Sequence, residues 1–165
     1  MNRRTTLGRL AAFSGGLFAW RASSAASPTH TARSYEITRT DAAWKQQLSA
    51  DQYAVLRQAG TERPGSSPLN GEKRAGTYAC AGCALPLFSS KTKYDSRTGW
   101  PSFWQAMDKA VVEETDTTLG MKRTEALCRR CGGHLGHVFN DGPKPTGLRY
   151  CMNGVALQFA PGPAA

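Results

Sequence analysis

The five cysteines fall into two matched pairs and one remainder. Cys80 and Cys83 stand in C-A-G-C, Cys128 and Cys131 in C-R-R-C, and Cys151 in R-Y-C-M-N. A C-x-x-C unit places two sulfurs on one tight turn, and two such turns together supply the S₄ set that Zn²⁺ takes tetrahedrally. Two disulfides or two dithiol redox pairs would use the same residues; the matched pairs favour one structural Zn²⁺ per chain. A c-type haem is excluded, because neither pair is followed directly by histidine. The 44 residues between Cys83 and Cys128 exceed the usual gap of a zinc ribbon. The ion would therefore clip together distant hairpins of one domain. His134 and His137, in C-R-R-C-G-G-H-L-G-H, are further possible ligands, but four thiolates already close a structural site. The imidazoles are then free for proton transfer near pH 7.

Cys151 is the thiol left over. If Leu148–Met152 is a strand, alternation puts Arg149, Cys151 and Asn153 on one face and Leu148, Tyr150 and Met152 on the other. The second face is apolar and would meet the core. The first displays a thiol between a cation and an amide, and Arg149 would favour the thiolate. A buried, inert cysteine is the ordinary alternative, and the flanking arginine argues against it.

The elements that must position these groups are short. "RTDAAWKQQL" starts a helix at Thr40 or Asp41, with Trp44 and Leu48 on one face. "SADQYAVLRQAG" carries a capping box, Ser49 with Gln52 three residues on, and Gly60 fits its stop. Residues 61–76 are interrupted by Pro and Gly and read as loop. Beyond them, strands are expected at Thr77–Cys80, Leu85–Phe88, Val111–Glu114, Leu119–Leu127, Leu135–Phe139, Leu148–Met152 and Val155–Phe159. Their spacing argues for antiparallel sheets behind a helical preface. The expected fold is mainly β and antiparallel, with short N-terminal helices.

The 165 residues hold one ordinary domain. The net charge of +9 overstates the basicity of that domain. Arg3, Arg4, Arg9 and Arg21 lie in the first 26 residues, which contain no acid, so 17 basic against 12 acidic residues leave +5. No long basic run remains, which argues against a nucleic-acid partner. Residues 1–26 have the order of a signal peptide: paired arginines, the eleven apolar-leaning residues Leu10–Trp20, then small residues. Eleven residues cannot span a bilayer. The twin arginines point to export to the periplasm by the twin-arginine route, with cleavage near Ala25 or Ala26; a mitochondrial transit peptide is the alternative. A linker over 27–36, a domain over 37–160 and a tail over 161–165 complete the expected organisation.

Taken together, "YACAGCALPLFSSKTKYDSRTGWPSFWQ" and "CRRCGGHLGHVFNDGPKPTGLRYCMNGVALQF" resemble the B-type peptide-methionine-R-sulfoxide reductases. The likeness runs in order and spacing from roughly Tyr35 to Phe159. It implies a fold of two antiparallel sheets with short N-terminal helices and a Cys₄ zinc clip remote from catalysis, and Cys151 as the nucleophile that attacks the sulfur of methionine sulfoxide, protein-bound or free. His134 and His137 would supply protons, Asn153 would hydrogen-bond water or a histidine, and Asp141 would order the loop before the nucleophile. Trp100, in G-W-P-S-F, would form an aromatic wall for the S-methyl group, supported by Phe103. Many relatives carry a resolving cysteine where this chain has Thr98, and glycine where it has Arg97; Gly65 replaces an apolar residue. With the other cysteines on zinc, Cys151 sulfenic acid would be reduced by a small thiol or a thioredoxin-like donor. The enzyme is expected to work as a monomer. A zinc-clipped binding module and a cysteine hydrolase using Cys151 and His137 are the competing classes.

Overall fold

The computed structural model describes residues 33–164. The expected leader over 1–26, its cleavage point and most of the linker lie outside them. Helix α1 spans Asp41–Gln47 and is capped by Thr40, whose hydroxyl accepts from Ala43 N at 3.2 Å. Helix α2 spans Ala50–Gln58 with the capping box in place, Ser49 and Gln52 bonding reciprocally. Its stop differs from expectation. The left-handed residue is Ala59, at φ 54°, and Gly60 follows it. A Cβ on Gly60 would lie 2.9 Å from Ala54 O, so glycine is needed there for close approach instead.

Nine strands follow: β1 Gly76–Cys80, β2 Pro86–Ser89, β3 Lys93–Tyr94, β4 Ser102–Phe103, β5 Val111–Asp116, β6 Arg123–Cys128, β7 His134–Phe139, β8 Arg149–Met152 and β9 Leu157–Pro161. They form two antiparallel sheets, one ordered β2-β1-β9 and one ordered β3-β4-β8-β7-β6-β5. The mainly β fold with a helical preface is thus as expected. The strand expected over Leu119–Leu127 begins only at Arg123, because Thr118–Gly120 make a 3₁₀ turn. Val155–Phe159 splits into a 3₁₀ turn at Gly154–Ala156 and β9. A further 3₁₀ turn, Pro68–Asn70, interrupts the loop expected over 61–76 and is capped by Ser67. Strands β3 and β4 have two residues each, too few for any period to register in the sequence.

The core lies between the sheets and the helices. Phe88 and Phe103 stack at 4.3 Å between ring centroids, and Tyr78 meets Phe103 edge-on at 4.9 Å. All three side chains are fully buried, and burial on this scale contributes about 1.5–3 kcal/mol for each large apolar side chain. Trp44 and Leu56 bring the helices onto the same core. One close approach matters for the site. Gly136 sits where the β6–β7 register slips, and a Cβ there would fall 2.1 Å from Cys151 O. Only glycine lets β7 pack this closely against β8.

Candidate metal centre and active site

The two C-x-x-C turns are built alike. In one, Ala84 N donates to Cys80 O at 2.8 Å, and in the other Gly132 N donates to Cys128 O at 2.8 Å. Ala84 and Gly132, each four residues past its first cysteine, both take left-handed backbone, at φ 57° and 67°. One turn leaves β1 of the small sheet and the other leaves β6 of the large sheet. Their four sulfurs lie within 4.8 Å of one another. Cys80 and Cys131 are 3.8 Å apart and Cys83 and Cys128 3.4 Å apart across the turns. A tetrahedron with Zn–S bonds of roughly 2.3 Å spaces its sulfurs by about 3.8 Å, whereas a disulfide needs about 2.05 Å. The cluster is therefore consistent with a zinc site that joins the two sheets. The helices brace it: Gln47 Nε2 donates to Gly82 O at 2.6 Å and Arg57 Nη1 to Cys131 O at 3.0 Å.

Cys151 stands apart from that cluster, on β8 inside the large sheet. Its cross-strand neighbours are His137 on β7 and Ser102 on β4. Thr98 places Oγ1 3.8 Å from Cys151 Sγ. Burial pushes the thiol up from its ordinary value, and the Thr98 hydroxyl and Arg149 oppose that. Arg149 thus acts in the expected direction, yet burial outweighs it. Its guanidinium is shared: it grips both Asp141 carboxylate oxygens at 2.8 Å and lies 4.2 Å from the Phe139 ring centroid. The pairing ties Asp141 and its loop to β8.

The two histidines face each other, ring centroids 5.4 Å apart. Each is held by a carboxylate that no sequence motif marked. His134 Nδ1 lies 2.6 Å from Glu125 Oε1, with its Nε2 buried and without a hydrogen-bond partner among the described residues. His137 Nε2 lies 2.8 Å from Asp116 Oδ2. Burial lowers the pKa of His137 despite the Asp116 contact, which keeps the imidazole neutral near pH 7. Burial works against ionisation of Asp116, but hydrogen bonds from Thr118 and His137, with Arg123 at 2.6 Å, hold its carboxyl well below the usual range. Cross-strand pairing was the missing signal. Glu125 is opposite His137 and diagonal to His134 across a bulge, while Asp116 ends β5 two strands away.

Asn153 and Phe103 are both buried. Strand β8 ends at Met152, and Asn153, the next residue, keeps extended backbone and is buried. Its amide is committed: Nδ2 donates to Leu135 O at 3.1 Å and Oδ1 accepts from Glu62 N at 3.0 Å. Phe103 is a core residue, stacked on Phe88 and fully buried, so it backs the site without lining it. Trp100 is half-buried and donates from Nε1 to Glu62 O at 3.2 Å. Glu62 also accepts from Gly154 N and Val155 N at 2.6 and 3.0 Å. It thereby ties the tryptophan to the segment that follows β8, a link that the loop sequence "TERP" concealed.

Trp100 lines a cleft of about 330 Å³ with Gly65, Tyr94, Arg97 and Gly99. Arg97 occupies left-handed backbone at φ 58°, and its N–H donates to Asp95 Oδ1 at 2.9 Å. That conformation explains why glycine suits the position. Gly65, at φ 77°, donates from N to Gly99 O at 2.7 Å and closes the rim. A larger hollow of about 810 Å³, between α2 and β9, holds neither Cys151 nor a histidine.

The SelR domain family matches residues 48–161. A peptide methionine sulfoxide reductase MsrB of Thiobacillus denitrificans is 57% identical over 124 residues, 74% of this chain and 94% of that protein. Those of Pseudomonas putida and Leptospira interrogans are 55% and 54% identical, each over 76% of this chain and 96% of their own length. The matched stretch contains both cysteine turns, Trp100, the histidine pair and Cys151, and the chain belongs to the MsrB family of peptide methionine sulfoxide reductases.

Proposed function

We propose that the chain reduces methionine-R-sulfoxide to methionine through a Cys151 sulfenic acid, without an internal resolving cysteine. The observation that carries this is the isolation of one sulfur. Cys151 lies among His137, Ser102 and Thr98, while the other four cysteines gather in their own cluster. The Cys151 thiolate attacks the sulfoxide sulfur, and the oxygen passes to Cys151 as the sulfur–oxygen bond of the substrate breaks. Thiolate, sulfoxide and one proton give sulfenic acid and thioether. His137, neutral and beside the nucleophile, relays the proton, with His134 behind it. An external thiol then forms a mixed disulfide with release of water, and a second thiol frees Cys151. Small thiols and thioredoxin-like proteins are the reductant class. Trp100 offers a wall to the S-methyl group, held in place by Glu62.

Cys80, Cys83, Cys128 and Cys131 fit a structural Zn²⁺, which when bound stabilises the junction of the two sheets and takes no part in the oxygen transfer. Substrates are oxidised proteins and free methionine sulfoxide, handled by a monomer. Residues 1–26 direct export by the twin-arginine route, supported by the paired arginines and by a domain that a metal helps to fold.

The deciding experiment treats the enzyme with one equivalent of methionine-R-sulfoxide without reductant and reads Cys151 by mass spectrometry. A sulfenic acid trapped with dimedone is expected. A disulfide from Cys151 to a metal-cluster cysteine would refute the one-thiol cycle. Equal turnover of the S epimer with dithiothreitol would refute the stereochemical assignment.

A further inference from the structure

Three hydroxyls stand in line between the Trp100 backbone and the Cys151 sulfur. Ser102 Oγ donates to Trp100 O at 3.1 Å. Ser96 Oγ lies 2.7 Å from Ser102 Oγ and 2.8 Å from Thr98 Oγ1, which in turn lies 3.8 Å from Cys151 Sγ. Each hydroxyl has one proton to give. With Ser102's proton on the Trp100 carbonyl, Ser96 must donate to Ser102 and Thr98 to Ser96. The hydrogen left for the last contact is the thiol's own, so the chain is polarised to accept from neutral Cys151. An ionised sulfur has no proton to give and needs a donor.

We infer that ionisation of Cys151 reverses this chain, so that Thr98 donates to the sulfur, Ser96 to Thr98 and Ser102 to Ser96, releasing the Trp100 carbonyl. The inference rests on the reading of Cys151 as nucleophile and adds to it a donor and a cost. Thr98 touches the reacting atom and is a catalytic residue; Ser96 acts through it as a positioning residue, and Ser102, opposite Cys151 on β4, also favours the thiolate directly. Reversal exchanges four neutral hydrogen bonds for three, of which the one to the thiolate is charge-assisted and so stronger. It also links the charge on the sulfur to the backbone of Trp100, the wall of the cleft.

Other groups face Cys151 and must be held constant in any test. Arg149, from its own strand, favours the thiolate, and its charge is shared with Asp141. His137 comes from β7 with Asp116 and Arg123 behind it, and His134 lies beyond. Tyr94, on β3, interacts electrostatically with Cys151 and has a buried hydroxyl with no partner among the described residues. Substitutions confined to Thr98 and Ser96 leave all of these in place.

The test is the pH dependence of Cys151 alkylation by iodoacetamide in the zinc-loaded protein, read on the Cys151 peptide by mass spectrometry. Thr98→Val removes the donor and raises the midpoint by about one pH unit, a tenfold loss of thiolate below it. Thr98→Ser keeps the wild-type midpoint. Ser96→Ala has the opposite sign to valine: Thr98 is released to donate to the sulfur while Ser102 stays on Trp100, so the midpoint falls. A midpoint unmoved by Thr98→Val overturns the inference, as does a Ser96→Ala midpoint that stays or rises, the behaviour of a fixed donor or of a merely polar lining. Zinc content and far-ultraviolet circular dichroism report folding. The titration needs no substrate, so its failure leaves the sulfenic acid experiment standing, and failure of that experiment is seen separately.

Discussion

The cysteine cluster and the Cys151 site both bring distant segments together through sulfur, and they do so by opposite means. Each half of the cluster is a self-contained turn, with the same hydrogen bond and the same left-handed residue, and the two halves need only meet. The Cys151 site has no such local unit. Its thiol, imidazole, hydroxyl and carboxylate come from β8, β7, the loop before β4 and the end of β5, and each is set by the register of its strand. A cluster made of repeated local turns serves stability. A site assembled across strands depends instead on the register of one sheet.

The largest effect should fall on the first region. Cys128→Ser, or a strong chelator, removes the S₄ set, whose binding in isolated zinc peptides is worth about 10 kcal/mol or more. Loss of the cooperative thermal transition is expected; a variant that still melts cooperatively would show that the sheets hold without the ion. Cys151→Ser marks the contrast: turnover falls to background while the melting temperature moves by no more than a degree or two. Residual activity with serine would place the nucleophile elsewhere. His137→Gln keeps the thiol and removes its nearest imidazole, and a loss of about 10²-fold in turnover is expected. A change of less than threefold would assign the proton to His134 or to water.

Smaller effects sharpen the comparison. Arg97→Gly relieves left-handed strain and should stabilise the protein by up to about 1 kcal/mol, since that backbone costs a non-glycine residue 1–2 kcal/mol and glycine gives part back as chain entropy. Destabilisation would mean that the Arg97 side chain earns its place through contacts. The smallest effect is a pH slope. His137 has a lowered pKa in the fold, so its contribution to stability is present above the unfolded value, about 6.5, and is lost as pH falls through it. Urea titrations at pH 7.5 and 5.5 should show a smaller decline for His137→Gln than for the wild type. Equal declines would assign the slope to other groups.

Much of this was legible because it is local. The capping box of α2 follows from Ser49 and Gln52 alone, and the two cysteine turns from their spacing. Cys151 could be set apart by counting. The stop of α2 was misplaced by one residue, because a left-handed alanine left no mark and the glycine beside it serves another purpose. Asn153 lies one residue beyond the end of β8, and its bonds to Glu62 and Leu135 come from the fold and not from alternation. Phe103 lies beside Ser102 in the sequence, but the pleat sends one to the core stack and the other toward Cys151.

The sequence by itself determined the ligand set, the odd sulfur, the helix start and the mainly β character, since spacing, count and period depend on neighbours in the chain. Only the tertiary structure decided which carboxylate holds which histidine, that Glu62 carries Trp100, and that three hydroxyls line up behind the thiol. Those pairings join residues up to 53 positions apart, and register, which no local pattern contains, brings them together.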